Sequence, residues 1–310
     1  MIEWKDENGD IHSGEIVARK NNFDIIDCQL CGFKHAVPLP SAEQVDAYYK
    51  DKYYEQDRKV DYAEKQKEQK KWWDRVYSDR CDHFRNLLGA TGRILDVGCG
   101  PGFFMKQAQQ QGWEVTGIEP SKKASNYASN TLGLNVHNLS IERLLDCKFS
   151  ENYFDVIYSH GVLEHMRKPD LFFLNAQKLL KKGGVLFYSV ANDFSIIQKT
   201  MLENNNIDPW WVVPPEHLNY FDKHSAENIA KKHGFDIVSG ISTYPIDMFL
   251  LMGENYILDE TLGPKTHQKI QNLENAILNS SYKSLLKDMY EKFYEIGIGR
   301  QLEITARNCI

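Results

Sequence analysis

The chain lacks any long apolar run. Its longest uncharged apolar stretches, Gly183–Asn192 and Met248–Gly253, fall far short of the about 20 residues that a membrane-crossing helix needs, so a transmembrane helix is excluded. It lacks a basic excess as well: 37 Lys and Arg stand against 43 Asp and Glu, giving a net charge of −6. General nucleic-acid binding depends on neutralising phosphates and is therefore not expected. Cysteine is sparse, with 6 in 310 residues, which excludes a dense disulfide framework. The N-terminal Met1-Ile-Glu-Trp-Lys-Asp-Glu is acidic and has no apolar core, so no signal peptide is expected and the cytoplasm is the default location. What is present, 42% hydrophobic and 26% charged residues, matches an average globular protein. The length allows about two domains, or one with large additions.

Between Arg93 and Thr243, short β-branched runs alternate with helix-like stretches. Ile94–Val97, Val115–Ile118, Phe154–Tyr158, Gly184–Val190 and Phe235–Ser239 read as strands. Phe103–Gln111, Lys122–Thr131, Leu171–Lys181 and Ser225–Lys232 read as the helices between them. Such alternation implies right-handed βαβ units, hence a doubly wound α/β core with a mainly parallel sheet. Outside it, residues 1–41 suggest a small β-hairpin element with turns at Asn8-Gly9 and Cys31-Gly32. Residues 42–89 read as a helical extension, with Trp73, Tyr77, Phe84 and Leu88 on one face. Within the remaining 90–310, a helical insertion at 245–299 precedes a closing strand around Leu302–Ala306, expected to run antiparallel.

The most informative stretch is Arg93-Ile-Leu-Asp-Val-Gly-Cys-Gly-Pro-Gly-Phe-Phe104, a strand that enters a glycine turn and then a helix. Gly98, Gly100 and Gly102 allow close backbone approach to a ligand. Glu119, at the end of the next strand, suits a grip on ribose hydroxyls. A dinucleotide loop would place its third glycine at 103, where this chain has Phe103. Asp96 at the mouth of the loop would also repel a pyrophosphate and attract a cation. No Gly-Lys-Ser/Thr follows, so a Walker loop is absent. The acidic loop favours S-adenosylmethionine, which carries a sulfonium and an ammonium but no phosphate, over NAD.

Ile94-Leu-Asp-Val-Gly-Cys-Gly-Pro-Gly resembles the first motif of class I S-adenosylmethionine-dependent methyltransferases. Val115-Thr-Gly-Ile-Glu-Pro-Ser121, Phe154-Asp-Val-Ile-Tyr-Ser-His-Gly-Val-Leu-Glu-His-Met166 and Leu179-Leu-Lys-Lys-Gly-Gly-Val-Leu186 resemble the later motifs of that family, in order. The resemblance covers residues 93–191 and continues less sharply to Gly240. It implies a seven-stranded Rossmann-like sheet and S-adenosyl-L-methionine as cofactor. Asp96 and the loop Gly98, Cys99, Gly100, Gly102 and Phe103 would hold the methionine part. Glu119 and Pro120 would hold the ribose, Ser140 and Ile141 would border the adenine, and Ser159 and His160 would flank the cofactor after the fourth strand of the core.

Methyl transfer from a sulfonium needs an acceptor held in line, and a hydroxyl acceptor benefits from a general base. His160 and His165 follow the fourth core strand, and His217 lies in Pro215-Glu-His-Leu-Asn-Tyr-Phe221, at the sheet edge where open α/β folds bind ligands. That last segment resembles a stretch of methyltransferases acting on sugars or quinone precursors, which makes His217, with Tyr220 beside it, a candidate catalytic residue; His160, after the fourth core strand, is a further candidate. Trp210 and Trp211 could stack on a ring or anchor the loop. Tyr244 and Asp247 point by topology to the acceptor side, and Arg300 could bind an acceptor anion. The paired tyrosines Tyr48-Tyr49 and Tyr53-Tyr54 could pack over the cofactor mouth or simply pack within a helix.

Cys28-Gln-Leu-Cys31 is a single metal-knuckle pair, whereas a structural zinc site normally takes four ligands from two pairs. His12 and His35 could complete a Cys2His2 set only through an unusual hairpin geometry. The segment through Pro38-Leu-Pro40 resembles the N-terminal zinc-ribbon module of some bacterial sugar methyltransferases, with the upstream half missing. A degenerate ribbon without metal is the expectation. The sequence therefore predicts a methyltransferase acting on O or N of a small molecule such as a sugar or nucleotide-linked sugar, with no nucleic-acid or membrane partner and room for a homodimer. An NAD-dependent oxidoreductase and a non-catalytic cofactor-binding subunit are the alternatives.

Overall fold

The computed structural model describes residues 1–48, 69–205, 208–259 and 261–309. Its strands, in chain order, are β1 (Ile2–Lys5), β2 (Ile11–Lys20), β3 (Phe23–Cys28), β4 (Lys34–Val37), β5 (Arg93–Val97), β6 (Glu114–Ile118), β7 (Val136–His137), β8 (Phe154–His160), β9 (Leu180–Ala191), β10 (Asn219–Tyr220), β11 (Phe235–Ser242) and β12 (Gln301–Asn308). Seven of them form one mixed sheet in the order β11-β12-β9-β8-β5-β6-β7. Strands β5 to β9 run parallel, and β12 runs antiparallel between β9 and β11, as expected of the closing strand.

The apolar pattern of the central strands explains why both faces are covered. In β5, Ile94 turns to one face and Leu95 and Val97 to the other, and all three are fully buried. The Ile94 face packs under Tyr77, Cys81 and Phe84 of the helix Lys70–Leu88 and under Phe104 and Met105 of the helix Phe103–Gln110. The Leu95 face packs under Phe172 and Phe173 of the helix Pro169–Leu179 and Ala226 and Ile229 of the helix Lys223–Lys232. Gly89 ends the helix Lys70–Leu88 with a left-handed φ of +79°, a conformation that costs glycine little. Within that helix Arg80 is buried, ion-paired with Glu303 of β12 and hydrogen-bonded to the Tyr158 hydroxyl.

Several boundaries differ from expectation for local reasons. The helix expected to reach Lys181 stops at Leu179, because Leu180 is already extended and pairs with Phe154 at the start of β9. Lys122–Thr131 divides into an α-helix to Asn126 and a π-helical turn from Tyr127. The 245–299 insertion contains the helices Met248–Leu251, Leu262–Leu278 and Ser284–Ile296. In the 42–89 extension the described helices are Ala42–Ala47 and Lys70–Leu88; Tyr49, Tyr53 and Tyr54 lie outside the described residues.

The expected N-terminal hairpin is larger than predicted. Strands β1 to β4 form an antiparallel meander, and β10 from the distant 192–222 loop adds a fifth strand beside β4. His35 lies opposite Asn219 and Lys34 opposite Tyr220, and the Ala36 N–H donates to the Leu218 carbonyl at 2.8 Å. A two-residue strand carries no readable alternation, so β10 left no signal in the sequence.

Candidate active site

Strand β5 ends at the glycine loop and delivers Asp96 beneath it. Gly98 has φ +78° and Gly102 has φ +83°, so both occupy the left-handed region. A Cβ on Gly98 would stand 2.4 Å from Val162 Cγ2 and one on Gly102 2.6 Å from Leu134 Cδ1. Gly98→Ala is therefore expected to cost about 1–3 kcal/mol and to weaken cofactor binding, read by thermal denaturation with and without S-adenosylhomocysteine. Unchanged midpoints in both conditions would refute the tight packing of the loop.

Asp96 is 2% exposed, and its Oδ1 has no hydrogen-bond partner among the described residues. Burial holds its carboxyl well above the usual range, Glu119 adds to the rise, and Arg80 opposes it. Glu119 is buried too, but its Oε2 accepts from the Gly100 N–H and its Oε1 from the Ser121 N–H, each at 2.8 Å. These bonds tie the loop to the following helix. A buried carboxyl oxygen without a partner among the described residues, beside a cradle that only glycine fits, suits a cationic ligand.

The remaining cofactor candidates surround this point. The Cys99 thiol tucks against β6, where a Cβ on Gly117 would sit 2.7 Å from its sulfur, and burial pushes it well above the usual thiol range. Phe103 opens the helix Phe103–Gln110 and packs edge-on to Tyr127 at 5.9 Å. The carbonyls of Glu119 and Pro120 both accept from Asn138 Nδ2 at 2.9 Å, which fixes the turn after β6. Ser140 precedes the short 3-10 segment Ile141–Cys147, and Ile141 Cδ1 lies 3.6 Å from the position of a Gly98 Cβ, over the loop. Ser159 sits opposite Val97 and is buried, and His160 follows it at the end of β8. Burial keeps the His160 imidazole well below its usual range, hence neutral, and its Nδ1 is bonded to the Ser189 hydroxyl.

The acceptor-side candidates do converge. The Leu218 N–H donates to the Glu164 carbonyl at 2.7 Å, and Asn219 Nδ2 donates to the carbonyls of Leu163 (2.9 Å) and Met166 (2.6 Å). The 213–221 loop is thereby docked on the segment after β8, and the His165 and His217 rings meet edge-on at 4.9 Å. Tyr220 departs from its expected part in the chemistry. It is buried, its hydroxyl donates to the His217 carbonyl at 2.9 Å and accepts from the Val213 N–H at 3.3 Å, and burial raises its pKa. It clamps its own loop. Trp211 is buried with Phe194, Ile25 and Tyr220, and Trp210 packs partly buried against the same cluster, so both anchor the loop.

The Arg300 guanidinium pairs through Nη1 with Asp193 at 2.9 Å. Asp193 is buried, which raises its carboxyl to about 6 despite the pull of Arg300. Asp247 is buried and bonded to Gln198 and to the Tyr256 hydroxyl, while Tyr244 packs against Phe249 and Phe293. The residue that sequence reasoning missed is Glu164. It is 5% exposed, its Oε2 has no hydrogen-bond partner among the described residues, and burial raises its carboxyl to about 7. Its place in the motif was visible, but its isolation from solvent was not.

A methyltransferase-domain family model matches residues 57–240, more than half of the chain. The chain belongs to this methyltransferase family, and the S-adenosylmethionine-dependent class and Rossmann-like fold expected from its glycine loop are borne out. Among curated proteins it is similar to the ubiquinone biosynthesis O-methyltransferases of Nitrosococcus oceani (33% identical over 137 residues, 39% of this chain and 57% of the relative) and Pasteurella multocida (33% over 146 residues, 40% and 60%). The chain thus matches less than two thirds of the length of either relative. A solved S-adenosylmethionine-dependent methyltransferase from Archaeoglobus fulgidus aligns over 76% of this chain and 94% of its own, with 14% identity and a TM-score of 0.48. No described helix is long and apolar enough to cross a membrane.

Proposed function

We propose that the chain transfers a methyl group from S-adenosylmethionine to a hydroxyl oxygen of a small molecule. The observation that carries this reading is the buried Asp96 beneath the glycine loop, whose Oδ1 is unpartnered among the described residues. When bound, the cofactor supplies an activated methyl on a cationic sulfur. Asp96 and the loop backbone would hold its amino-acid part, Glu119 its ribose, and Ser140 and Ile141 would border the adenine. Oxygen is favoured over nitrogen because the curated relatives are named O-methyltransferases and because groups able to take up a proton gather on the acceptor side.

In this reading His217 takes the hydroxyl proton as the oxygen attacks, and Tyr220, through its bond to the His217 carbonyl, keeps the backbone of that residue in place. Neutral His160 lines the cofactor mouth, and the segment 162–166 supports the loop. A panel of sugar and aromatic hydroxyl acceptors, assayed for labelled methyl incorporation, tests the function. NADH stabilising the protein where S-adenosylhomocysteine does not would overturn it. His217→Ala is expected to lower kcat at least about tenfold without changing affinity for S-adenosylhomocysteine. An unchanged kcat would remove His217 from the chemistry.

A further inference from the structure

In the fold, the knuckle pair Cys28 and Cys31 meets two histidines. His12 on β2, Cys28 at the end of β3, Cys31 in the following turn and His35 on β4 each bring one ligand atom to a common point, all within 4.8 Å of one another. The expectation of no metal rested on the absence of a second knuckle pair. The antiparallel meander is the hairpin geometry that brings the two histidines in. His12, Cys28 and His35 are buried and Cys31 is partly so, and both cysteines are free of disulfides.

We propose that these four residues bind a structural zinc ion. His12 Nδ1 lies 3.2 Å from His35 Nε2, 3.4 Å from Cys31 Sγ and 3.6 Å from Cys28 Sγ. One ring nitrogen carries at most one proton, so hydrogen bonding satisfies only one of these three approaches. A tetrahedral ion with sulfur at about 2.3 Å and nitrogen at about 2.0–2.1 Å sets nitrogen–nitrogen edges of about 3.3 Å and sulfur–nitrogen edges of about 3.6 Å. The three separations at His12 Nδ1 are close to those edges. His35 Nδ1 faces the Ala36 carbonyl at 3.1 Å, so donation there fixes the proton on Nδ1 and leaves Nε2 bare for a metal. Two thiolates and two neutral imidazoles cancel a divalent charge, which suits a buried location. Four protein ligands leave no open position, so the ion is structural rather than catalytic.

The site also has a mechanical place. Ligand His35 pairs with Asn219, two residues from His217, and Phe33 between the ligands packs on Phe221 at 5.0 Å. The ion would therefore stiffen the sheet against which the 213–221 loop is laid, a role that rests on the proposed acceptor function of that loop.

Metal content of the gel-filtered protein, expressed with zinc in the medium and measured by inductively coupled plasma mass spectrometry, tests the site. About one zinc per chain is expected, lost in Cys28→Ser/Cys31→Ser and kept in the control Cys309→Ser, whose thiol is exposed and far along the chain. A wild-type protein that contains no zinc and takes up none on addition overturns the proposal, as does full zinc in the double variant. Should that variant fail to fold, a mercurial titration of the wild type replaces it: zinc release as the thiols react supports the site, and retained zinc refutes it. The zinc-depleted protein is expected to keep its affinity for S-adenosylhomocysteine and lose acceptor turnover. Full turnover without zinc removes the positioning role, whereas zinc-loaded protein inactive on every acceptor removes the proposed function and leaves the metal site standing.

Discussion

Asp96→Asn is expected to weaken S-adenosylhomocysteine binding by about 2–5 kcal/mol, from roughly thirtyfold to several thousandfold, while making the ligand-free protein more stable. Both effects have one cause. The Asp96 carboxylate is buried with an oxygen that no described residue satisfies, so its charge costs the free protein energy that a bound cation would return. Because its folded-state pKa lies above the unfolded value, the free protein loses stability as pH rises from the ordinary carboxylate range toward that raised value. Asn removes this loss at neutral pH. The wild type should also bind the cofactor less well toward acid pH, as Asp96 takes up a proton, and the Asn variant should show a flatter profile. Isothermal titration and thermal denaturation at several pH values read both quantities. Equal affinity in variant and wild type would sink the assignment of Asp96 to the cofactor.

The second large effect is structural. Arg80→Met should destabilise the protein by about 3–5 kcal/mol, because it leaves Glu303 of β12 charged and buried. Arg80→Met combined with Glu303→Leu should recover most of that loss, since two apolar groups replace an ion pair at little net cost. Urea denaturation midpoints of the single and double variants decide the matter. A double variant as unstable as the single one would show that the Arg80 bond to Tyr158, rather than the ion pair, supplies the stability.

What could be read from the sequence was what repeats along the chain. The parallel core was legible because Ile94, Leu95 and Val97 are apolar on both faces and glycine punctuates the joins between helices and strands. Asp96 and Glu119 could be placed at the two strand ends of one βαβ unit from the sequence alone. Pairings across the fold were not. Arg80 and Glu303 are 223 positions apart, and neither has a neighbour that announces the other. His12 precedes Cys28 by 16 positions and lies on a strand of its own, so no knuckle spacing includes it. Tyr220 looked catalytic beside His217, but only the backbone course of the loop shows its hydroxyl bonded to the residues around it.

The pairing of β4 with β10 also has a consequence in time. Strands β1 to β4 leave the ribosome well before Asn219 and Tyr220, so the small sheet waits with an open edge while most of the parallel core is made. Closing it spans roughly 185 residues, a late and entropically costly contact. An early-binding ion within β2 to β4 would hold the waiting edge in register, and cells starved of zinc would then lose this protein to aggregation during synthesis before they lost its activity after folding.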